Sequence, residues 1–236
     1  MVILITGASK GIGAELAKAM AVEECTLLLV ARNKTLLEEV AAQCRRINPA
    51  SKIIPLVLDL LDLPRQPVQW MKQVFNHTDH LDVLVNNAGF LVNKRFESLT
   101  TGEMEQMIRV NFLSPACLVR ELLPLLRSSE SPRIINVTSM GGIQGSAKFA
   151  GLSMYSSSKG GMNTLTECLA EEFGEYQISV NALALGAVQT EMLKEAFPGV
   201  EAPVGPAETA EFFRWFVREG YRYFQGKILP VSTTTP

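Results

Sequence analysis

The chain has 236 residues, of which 47% are hydrophobic and 19% are charged, and its formal net charge is −2. This composition is too apolar for a disordered chain and is typical of a well-packed enzyme, so we expect a single α/β domain over residues 1–236. The weak charge offers no broad basic field, and we therefore expect no nucleic acid or membrane partner. No apolar run reaches the roughly 18 residues that a membrane-spanning helix requires.

The cysteines are few and scattered, and none lies in a metal-binding spacing. The sequence therefore predicts neither a metal site nor a disulfide framework, and reduced thiols are typical of cytosolic proteins. Met1 is followed at once by an apolar strand and a glycine loop rather than by a charged leader, so we expect a cytoplasmic protein.

A glycine-rich loop connects the first predicted strand, Val2–Ile5, to a predicted helix over Ala14–Met20. Glycines allow a sharp turn and a close approach to a pyrophosphate, and the helix N-terminus supplies free N–H groups and a positive dipole end. The glycine spacing differs from the common GxGxxG pattern, so an ordinary tight turn stays open as the alternative. The residues predicted to hold a cofactor here are Gly7, Ser9, Lys10, Gly11, Ile12 and Gly13.

The second predicted strand, Thr26–Val30, is followed by Ala31 and Arg32. In a dinucleotide-binding βαβ unit, a carboxylate at this point would hold the ribose 2′-hydroxyl of NAD. An arginine favours a 2′-phosphate instead, and Lys10 adds a second cation on the same side. The two cations predict NADP(H) as the cofactor, and the alternative is that both are simply exposed loop residues.

Two later strand ends add polar and glycine residues to the same edge of the sheet. Ile53–Leu58 predicts a third strand that ends at Asp59, and Leu81–Val85 predicts a fourth that leads into an Asn-Asn-Ala-Gly sequence. Ligands of parallel α/β sheets bind at the carboxyl ends of the strands. Asparagines there satisfy loose backbone groups, and glycine lets the chain turn beneath a cofactor. The predicted cofactor site therefore also includes Asp59, Asn87, Ala88 and Gly89.

A long helical pattern over Glu103–Arg127 contains Asn111 within an otherwise apolar face. A buried amide is costly unless it is paired, so Asn111 marks either a kink that holds a water or a specific hydrogen-bond network. Pro115 and Pro124 predict first a bend and then the end of this helix.

The residues with the strongest catalytic pattern follow the fifth predicted strand, Arg133–Val137. Ser139 lies at its carboxyl end, and Tyr155 and Lys159 are spaced to share one face of a helix. An ammonium about 4–5 Å from a phenol favours the phenolate by roughly 3–4 kcal/mol at an effective dielectric of about 20. That would lower the tyrosine pKa from about 10 toward neutral pH, where acid–base catalysis is most effective. A solvated helix face is the alternative for such a pair taken alone.

Further predicted elements, the strand Ile178–Ala182, the helix Glu208–Glu219 and the strand Lys227–Val231, continue the alternation to the end of the chain. Alternating strands and helices predict an α/β fold with a parallel sheet.

Taken in order, these motifs resemble the short-chain dehydrogenase/reductase family, in its NADP-preferring form. The residues that carry the resemblance are Thr6-Gly7-x3-Gly11-x-Gly13, Asn86-Asn87-Ala88-Gly89, Asn111, Ser139 and Tyr155-x3-Lys159. The resemblance covers nearly the whole chain. It implies a Rossmann-type, doubly wound parallel sheet of about seven strands with helices on both faces, in three αβα layers. It also implies a homodimer or homotetramer that assembles through the helices beginning near Glu103 and Tyr155.

The resemblance also implies a role for each matching residue. Tyr155 would be the acid/base, Ser139 would bind the substrate oxygen, and Lys159 would lower the tyrosine pKa and bind the nicotinamide ribose. Asn111 would hold a water of a proton relay. For the cofactor, Asp59 would reach the adenine amine, Asn87 and Gly89 would lie beneath the adenosine ribose, and Val188 and Thr190 would hold the carboxamide.

The chain departs from the family pattern around the substrate pocket. Ser139 and Tyr155 are 16 positions apart, which is more than is usual in the family, and the additional residues fall within Ile143–Met154. A short substrate lid is expected near residues 190–206. The pocket candidates are mostly apolar and indicate an uncharged substrate; they are Met140, Gln144, Phe149, Leu152, Met192 and Phe197.

The sequence therefore predicts an NADP(H)-dependent oxidoreductase that moves a hydride between the nicotinamide and a carbonyl or secondary alcohol of a small apolar substrate. A non-catalytic NADP(H)-binding sensor or scaffold is the main alternative, although such a protein is expected to lose the tyrosine or the lysine. An epimerase or dehydratase is a third possibility, but these usually carry a larger C-terminal substrate domain.

Overall fold

The computed structural model describes residues 1–233. Its strands are β1 (Val2–Thr6), β2 (Thr26–Ala31), β3 (Lys52–Val57), β4 (Val83–Asn86), β5 (Arg133–Ser139), β6 (Ser179–Leu185) and β7 (Ile228–Val231). Its α-helices are α1 (Gly11–Met20), α2 (Lys34–Ile47), α3 (Pro67–Phe75), α4 (Thr101–Ile108), α5 (Ser114–Arg127), α6 (Ser153–Glu172), α7 (Glu191–Ala196) and α8 (Pro206–Arg218). A π-helical segment, Arg109–Leu113, joins α4 to α5.

The strands form one sheet in the order β3-β2-β1-β4-β5-β6-β7, and neighbouring strands are parallel. The central strands are continuous apolar runs because helices cover both of their faces. The chain first builds outward from β1 to β3 and then resumes on the other side of β1 with β4. The point of reversal, between β1 and β4, is where ligands of doubly wound sheets bind.

Each face of the sheet has its own hydrophobic core. On one face, Ile3 and Ile5 of β1 pack with Leu16 of α1, Leu37 of α2 and Phe213 of α8. On the other face, alternate strand residues pack with α3, α5 and α6, including Trp70 and Leu122. The result is the predicted three-layer αβα arrangement, and the predicted fold class is confirmed.

The helix predicted over Glu103–Arg127 is interrupted before Pro115, where a bend was expected. It ends after Pro124, where its end was expected. The interruption is the π-helical segment, whose last bond runs from the N–H of Ser114 to the carbonyl of Arg109. Pro124 lies inside α5, so the prediction that it ends the helix was wrong. The helix continues because the following Leu125 and Leu126 are buried in the core, which outweighs the loss of one backbone hydrogen bond.

Within residues 1–233, no helix has both the length and the apolar character needed to cross a membrane.

Candidate active site

A cavity of about 650 Å³ lies at the carboxyl ends of the central strands. Its lining begins at the glycine loop, passes Arg32 and Asp59, and continues to Tyr155 and Lys159. The predicted cofactor residues that line it are Gly7, Ser9, Lys10, Gly11, Ile12, Arg32, Asp59, Asn87, Ala88, Gly89, Tyr155, Lys159, Val188 and Thr190. The fold thus brings together residues from most of the length of the chain.

Gly13 is the predicted cofactor residue that does not line the cavity. A Cβ atom at this position would lie 2.3 Å from the carbonyl oxygen of Gly7 and 2.5 Å from Nδ2 of Asn87. The glycine is needed for close packing of the first turn of α1 against the loop, and its predicted contact with a cofactor stays a prediction. Gly7 and Gly11, with φ of 68° and 56°, supply the left-handed turns of the loop.

The first turn of α1 borders the cavity through Gly11 and Ile12. The helix begins at Gly11, and its N-cap residue, Lys10, makes no side-chain capping bond. The first N–H groups of a helix have no partner within the helix, and together with the helix dipole they favour an anion. The loop therefore has the donors that a phosphate group requires.

Two cations stand at this end of the cavity without a partner. Among residues 1–233, neither Lys10 nor Arg32 forms a hydrogen bond or an ion pair through its side chain, and both are exposed. Asp59 lines the same cavity, and its Oδ1 accepts a bond from the N–H of Leu61 at 2.9 Å. Positive and negative side chains thus lie together near the ends of β2 and of the edge strand β3.

Two asparagines at the carboxyl end of β4 connect it to neighbouring strands, and Asn87 makes the predicted bond to a backbone group. Asn87 donates through Nδ2 to the carbonyl of Thr6 at 2.8 Å, and its N–H donates to the Thr6 hydroxyl at 3.0 Å. Asn86 donates to Oδ1 of Asn136 at 2.9 Å across β4 and β5. These bonds fix the backbone of Ala88 at the floor of the cavity, where its N–H also donates to the Thr6 hydroxyl.

Tyr155, Lys159 and Ser139 meet at the inner part of the cavity. Lys159 Nζ lies 5.9 Å from the centre of the Tyr155 ring and donates to the carbonyl of Val137 at 2.8 Å. The Ser139 hydroxyl forms a hydrogen bond with Tyr155 and also accepts a bond from the N–H of Gly141 at 3.3 Å. Although Ser139 and Tyr155 are further apart in sequence than is usual in the family, their side chains are in hydrogen-bond contact.

The pKa values of this pair differ from the predicted pattern. Burial raises the pKa of Tyr155 to about 12, because desolvation disfavours the phenolate, and the hydrogen bond from Ser139 offsets this only in part. Burial also lowers the pKa of Lys159 to about 8. We expected Lys159 to lower the pKa of Tyr155 toward neutral pH, and for the protein chain by itself this expectation was wrong. The pKa rises instead, because the desolvation of the phenolate is its largest cause.

Asn111 lies in the π-helical segment and is 1% exposed. Its Oδ1 accepts from the N–H of Phe90 at 2.7 Å, and its Nδ2 donates to the carbonyl of Phe90 at 2.8 Å and to Oγ of Ser158 at 3.0 Å. Of the two predicted possibilities, a kink with a water or a specific network, the network is therefore present. A Cβ built on Gly89 would lie 3.7 Å from both Asn111 Oδ1 and Lys159 Nζ, so the two atoms face the same glycine.

Val188 and Thr190 bring the start of the predicted lid to the glycine loop. Thr190 Oγ1 accepts from the N–H of Leu193 and thereby caps α7, a helix that lies inside the predicted lid region. A Cβ built on Gly11 would lie 3.5 Å from Cγ2 of Thr190. The glycine loop and the start of the lid therefore lie next to each other.

The rest of the lining is mostly apolar. Among the six pocket candidates, Gln144 does not line the cavity and the other five do. Sequence reasoning missed further lining residues, which include Leu60, Phe90, Leu91, Gln106, Val110, Leu193, Val200 and Ser232. It also missed Ser158, whose hydroxyl links Asn111 to the carbonyl of Tyr155 at 2.7 Å, although its position between Tyr155 and Lys159 was a usable signal.

The sheet order and the cavity at its carboxyl edge define a doubly wound α/β protein of the Rossmann type. Residues 1–201 match the family of short chain dehydrogenases, and the chain belongs to this family.

Three similar proteins illustrate the relationship. Fatty acyl-CoA reductase of Acinetobacter baylyi is 34% identical over 81% of this chain, and the match spans 64% of that protein, which is less than two thirds of its length. Levodione reductase of Leifsonia aquatica is 30% identical over 90% of this chain and 78% of its own. A solved structure from Escherichia coli, assigned to the short chain dehydrogenases and complexed with NADPH, is 28% identical with a TM-score of 0.88, covering 97% of this chain and 95% of that one.

Proposed function

We propose that this protein is an NADP(H)-dependent oxidoreductase that transfers a hydride between the nicotinamide and a carbonyl or secondary alcohol carbon. The observation that carries the proposal is the continuity of one cavity, which is lined at one end by the glycine loop and at the other by Tyr155, Lys159 and Ser139. A nucleotide bound at the loop would thus extend toward a proton donor. The family relationship and the reductase names of the relatives support the same reaction class.

The cavity fits NADP(H) by the chemistry of its donors. The uncapped first turn of α1 suits the pyrophosphate, and Arg32 with Lys10 suits a 2′-phosphate, since neither has another partner among the described residues. Oδ2 of Asp59 has no hydrogen-bond partner within residues 1–233 and would accept from the adenine amine. Val188 and Thr190 would hold the carboxamide, and Lys159 the nicotinamide ribose. The NADPH complex of the related Escherichia coli protein supports this choice.

Bound NADPH supplies the hydride, and the protein supplies the proton. Because its pKa is about 12, Tyr155 is a neutral phenol at neutral pH and can donate a proton to a carbonyl oxygen as that oxygen becomes negative. Ser139 would hold the same oxygen through its hydroxyl. Lys159, with a pKa of about 8, is mostly charged at neutral pH and stabilises the phenolate that the donation leaves behind. Both N–H donors of the Asn111 amide are used, so the water from which the proton is replaced would donate to the remaining lone pair of Asn111 Oδ1.

The apolar lining beyond Tyr155 suits a small, uncharged carbonyl compound. Residues 190–206 would act as a lid over it, with Met192 and Phe197 facing the cavity. Four free cysteines, of which three are buried, are in keeping with a cytoplasmic location.

The protein would assemble as a homodimer or homotetramer through α4, α5 and α6. In support, Leu113 exposes 41% of its surface at the start of α5, and Phe112 packs against Gly161 of α6, with a ring atom 3.4 Å from a Cβ built there. These helices therefore lie side by side and present an apolar residue to the outside.

The test is a Tyr155→Phe variant, assayed for NADPH oxidation with a panel of ketones and aldehydes. We expect turnover to fall by at least about a thousandfold, because the phenol is the proton donor, while NADPH affinity stays within about twofold. Retained turnover would refute the assignment of Tyr155. A wild-type protein that binds NADPH and turns over no member of the panel would favour the sensor alternative.

A further inference from the structure

The apolar end of the cavity is enclosed by three separate segments. Residues 90–94 follow β4, the insertion loop spans residues 143–154, and the lid spans residues 190–206. Each of them contributes apolar side chains to the lining; these are Phe90 and Leu91, Phe149 and Leu152, and Met192, Leu193, Phe197 and Val200. The volume left for a substrate therefore depends on how these segments are held against one another.

Asn93 contacts both of the other segments. Its Nδ2 donates to the carbonyl of Ala196, the last residue of α7, at 2.7 Å. Its Oδ1 lies so close to Gly151 that a Cβ built there would be 2.0 Å away. The next residue, Lys94, donates its N–H to the carbonyl of Gly151 at 3.1 Å. One side chain thus lies between the lid and the insertion loop.

The contact with Asn93 requires a glycine at position 151. Its φ of 89° belongs to the left-handed region, which other residues adopt only with strain. The insertion loop is also the segment whose length exceeds the family pattern, and Gly151 is where it reaches Asn93. The loop therefore reaches the lid through Asn93.

Hydrogen bonds hold the two ends of the lid together, whereas the helix α7 between them depends on contacts with other segments. The N–H of Ala202 donates to Oε1 of Gln189 at 2.6 Å, and the N–H of Gln189 donates to the carbonyl of Val204 at 2.9 Å, which closes the two ends of the lid. Between them, α7 has six residues and is too short to be stable by itself. Asn93 binds the end of this short helix.

We propose that Asn93 is a positioning residue that fixes the lid against the insertion loop and so sets the shape of the substrate end of the cavity. Without its amide, Phe149 and Phe197 are no longer held at a fixed separation, and an apolar substrate loses contact with one of the two walls. The cofactor end contains none of these contacts and is unaffected. This role in substrate binding rests on the proposed oxidoreductase function.

The test compares Asn93→Asp with wild type. Aspartate keeps the size of the side chain but replaces the donor to Ala196 with an oxygen that repels the carbonyl. Asn48→Ala is the matched control, because Asn48 also donates from a loop to a carbonyl, that of Val22 at 3.4 Å, but at the opposite edge of the sheet. Cyclohexanone and 2-octanone serve as the probe substrates, and NADPH affinity is measured separately.

For Asn93→Asp we expect KM for both ketones to rise by about three- to tenfold, the effect of one hydrogen bond, with NADPH affinity within about twofold of wild type. Hydrogen exchange, which needs no turnover, should become faster in peptides from both the lid and the insertion loop. Gly151→Ala, which pushes Asn93 away, should raise exchange in the same two segments. Asn48→Ala should change none of these quantities.

Unchanged exchange in the lid and the insertion loop of Asn93→Asp would overturn the proposal. If wild type reduces neither ketone but the exchange of the variant rises in both segments, the positioning role stands and the proposed reaction, or its substrate class, fails instead. A rise in KM that is matched by an equal loss of NADPH affinity would also contradict the proposal, because it would indicate general disruption.

Discussion

The ammonium group of Lys159 belongs to a buried residue, of which 4% is exposed. Two effects oppose each other there. Desolvation lowers its pKa to about 8, whereas the carbonyl of Val137 accepts a hydrogen bond from the charged form. Desolvation is the larger effect, but at neutral pH it leaves most of the lysine protonated. The charged lysine and the neutral Tyr155 are together the protonation states that donation of a proton to a carbonyl oxygen requires.

The depressed pKa of Lys159 predicts a pH dependence of stability. The pKa falls from 10.5 to about 8 on folding, so between these values the unfolded state binds more protons and stability rises with pH. Below about pH 8 the penalty for the buried charge is fully present. Relative to a Lys159→Met variant, wild type should gain about 2–3 kcal/mol in free energy of unfolding between about pH 7 and pH 10. Urea denaturation of both proteins at the two pH values measures this, and a constant difference would contradict it.

Arg32 is the residue for which cofactor choice is expected to be most sensitive. Removal of a guanidinium that binds the 2′-phosphate costs a charge-assisted hydrogen bond, so Arg32→Ala should weaken NADPH binding by about 10- to 100-fold. NADH affinity should change little, because NADH lacks this phosphate. Fluorescence titration with both nucleotides gives the ratio. Arg46→Ala, in the last turn of α2 and outside the cavity, is the control. An unchanged NADPH to NADH ratio in Arg32→Ala would refute the 2′-phosphate assignment.

At the scale of elements, the π-helical segment and the first turn of α1 both depart from a regular helix next to the cavity. The wide turn at Arg109–Leu113 turns Asn111 into the protein, where its amide holds the backbone of Phe90 at the wall of the cavity. Such bulges are frequent at functional sites. In α1, the absence of a side chain at Gly13 lets the helix approach Gly7. In each case a local irregularity brings backbone close to the cavity.

The two glycines Gly13 and Gly102 predict opposite effects of the same substitution. Gly13→Ala should destabilise the protein by about 1–3 kcal/mol, because the new methyl group overlaps the Gly7 carbonyl. Gly102 lies in the first turn of α4, where a built Cβ meets no other part of the described protein within 4 Å beyond its own helix and neighbours, so Gly102→Ala should stabilise by about 0.5 kcal/mol. Urea unfolding at constant m value measures both changes. NADPH affinity should fall only in Gly13→Ala, and equal stability of the two variants would contradict the packing role.

At the scale of the whole molecule, the sequence predicted the parts whose signal lies in side-chain pattern. Continuous apolar runs predicted the strands, and the ordered motifs predicted the family and the sheet, all of which are confirmed. The convergence of Arg32, Asp59 and Ser139 on one cavity follows from parallel strands, whose carboxyl ends share an edge.

The features that were missed depend on backbone atoms or on tertiary contacts. The partner of Lys159 is the carbonyl of Val137, and a carbonyl has no sequence signature. The raised pKa of Tyr155 follows from desolvation, which only the packed structure reveals. Pro124 failed as a stop signal because buried leucines follow it. Asn93 lies in a loop without periodicity, and its contacts lie more than fifty residues away along the chain at Gly151 and Ala196.

Assembly is the property of the whole molecule that the fold makes testable. A chain of 25.9 kDa should elute as a dimer or tetramer in light-scattering chromatography. Leu113→Glu places a charge on the proposed contact face of α5 and should shift the mass toward the monomer, because burial of an unpaired carboxylate opposes association. Leu36→Glu, on α2 at the opposite face of the sheet and 36% exposed, should leave the mass unchanged. A monomeric wild type, or an equal shift in both variants, would contradict assembly through α4, α5 and α6.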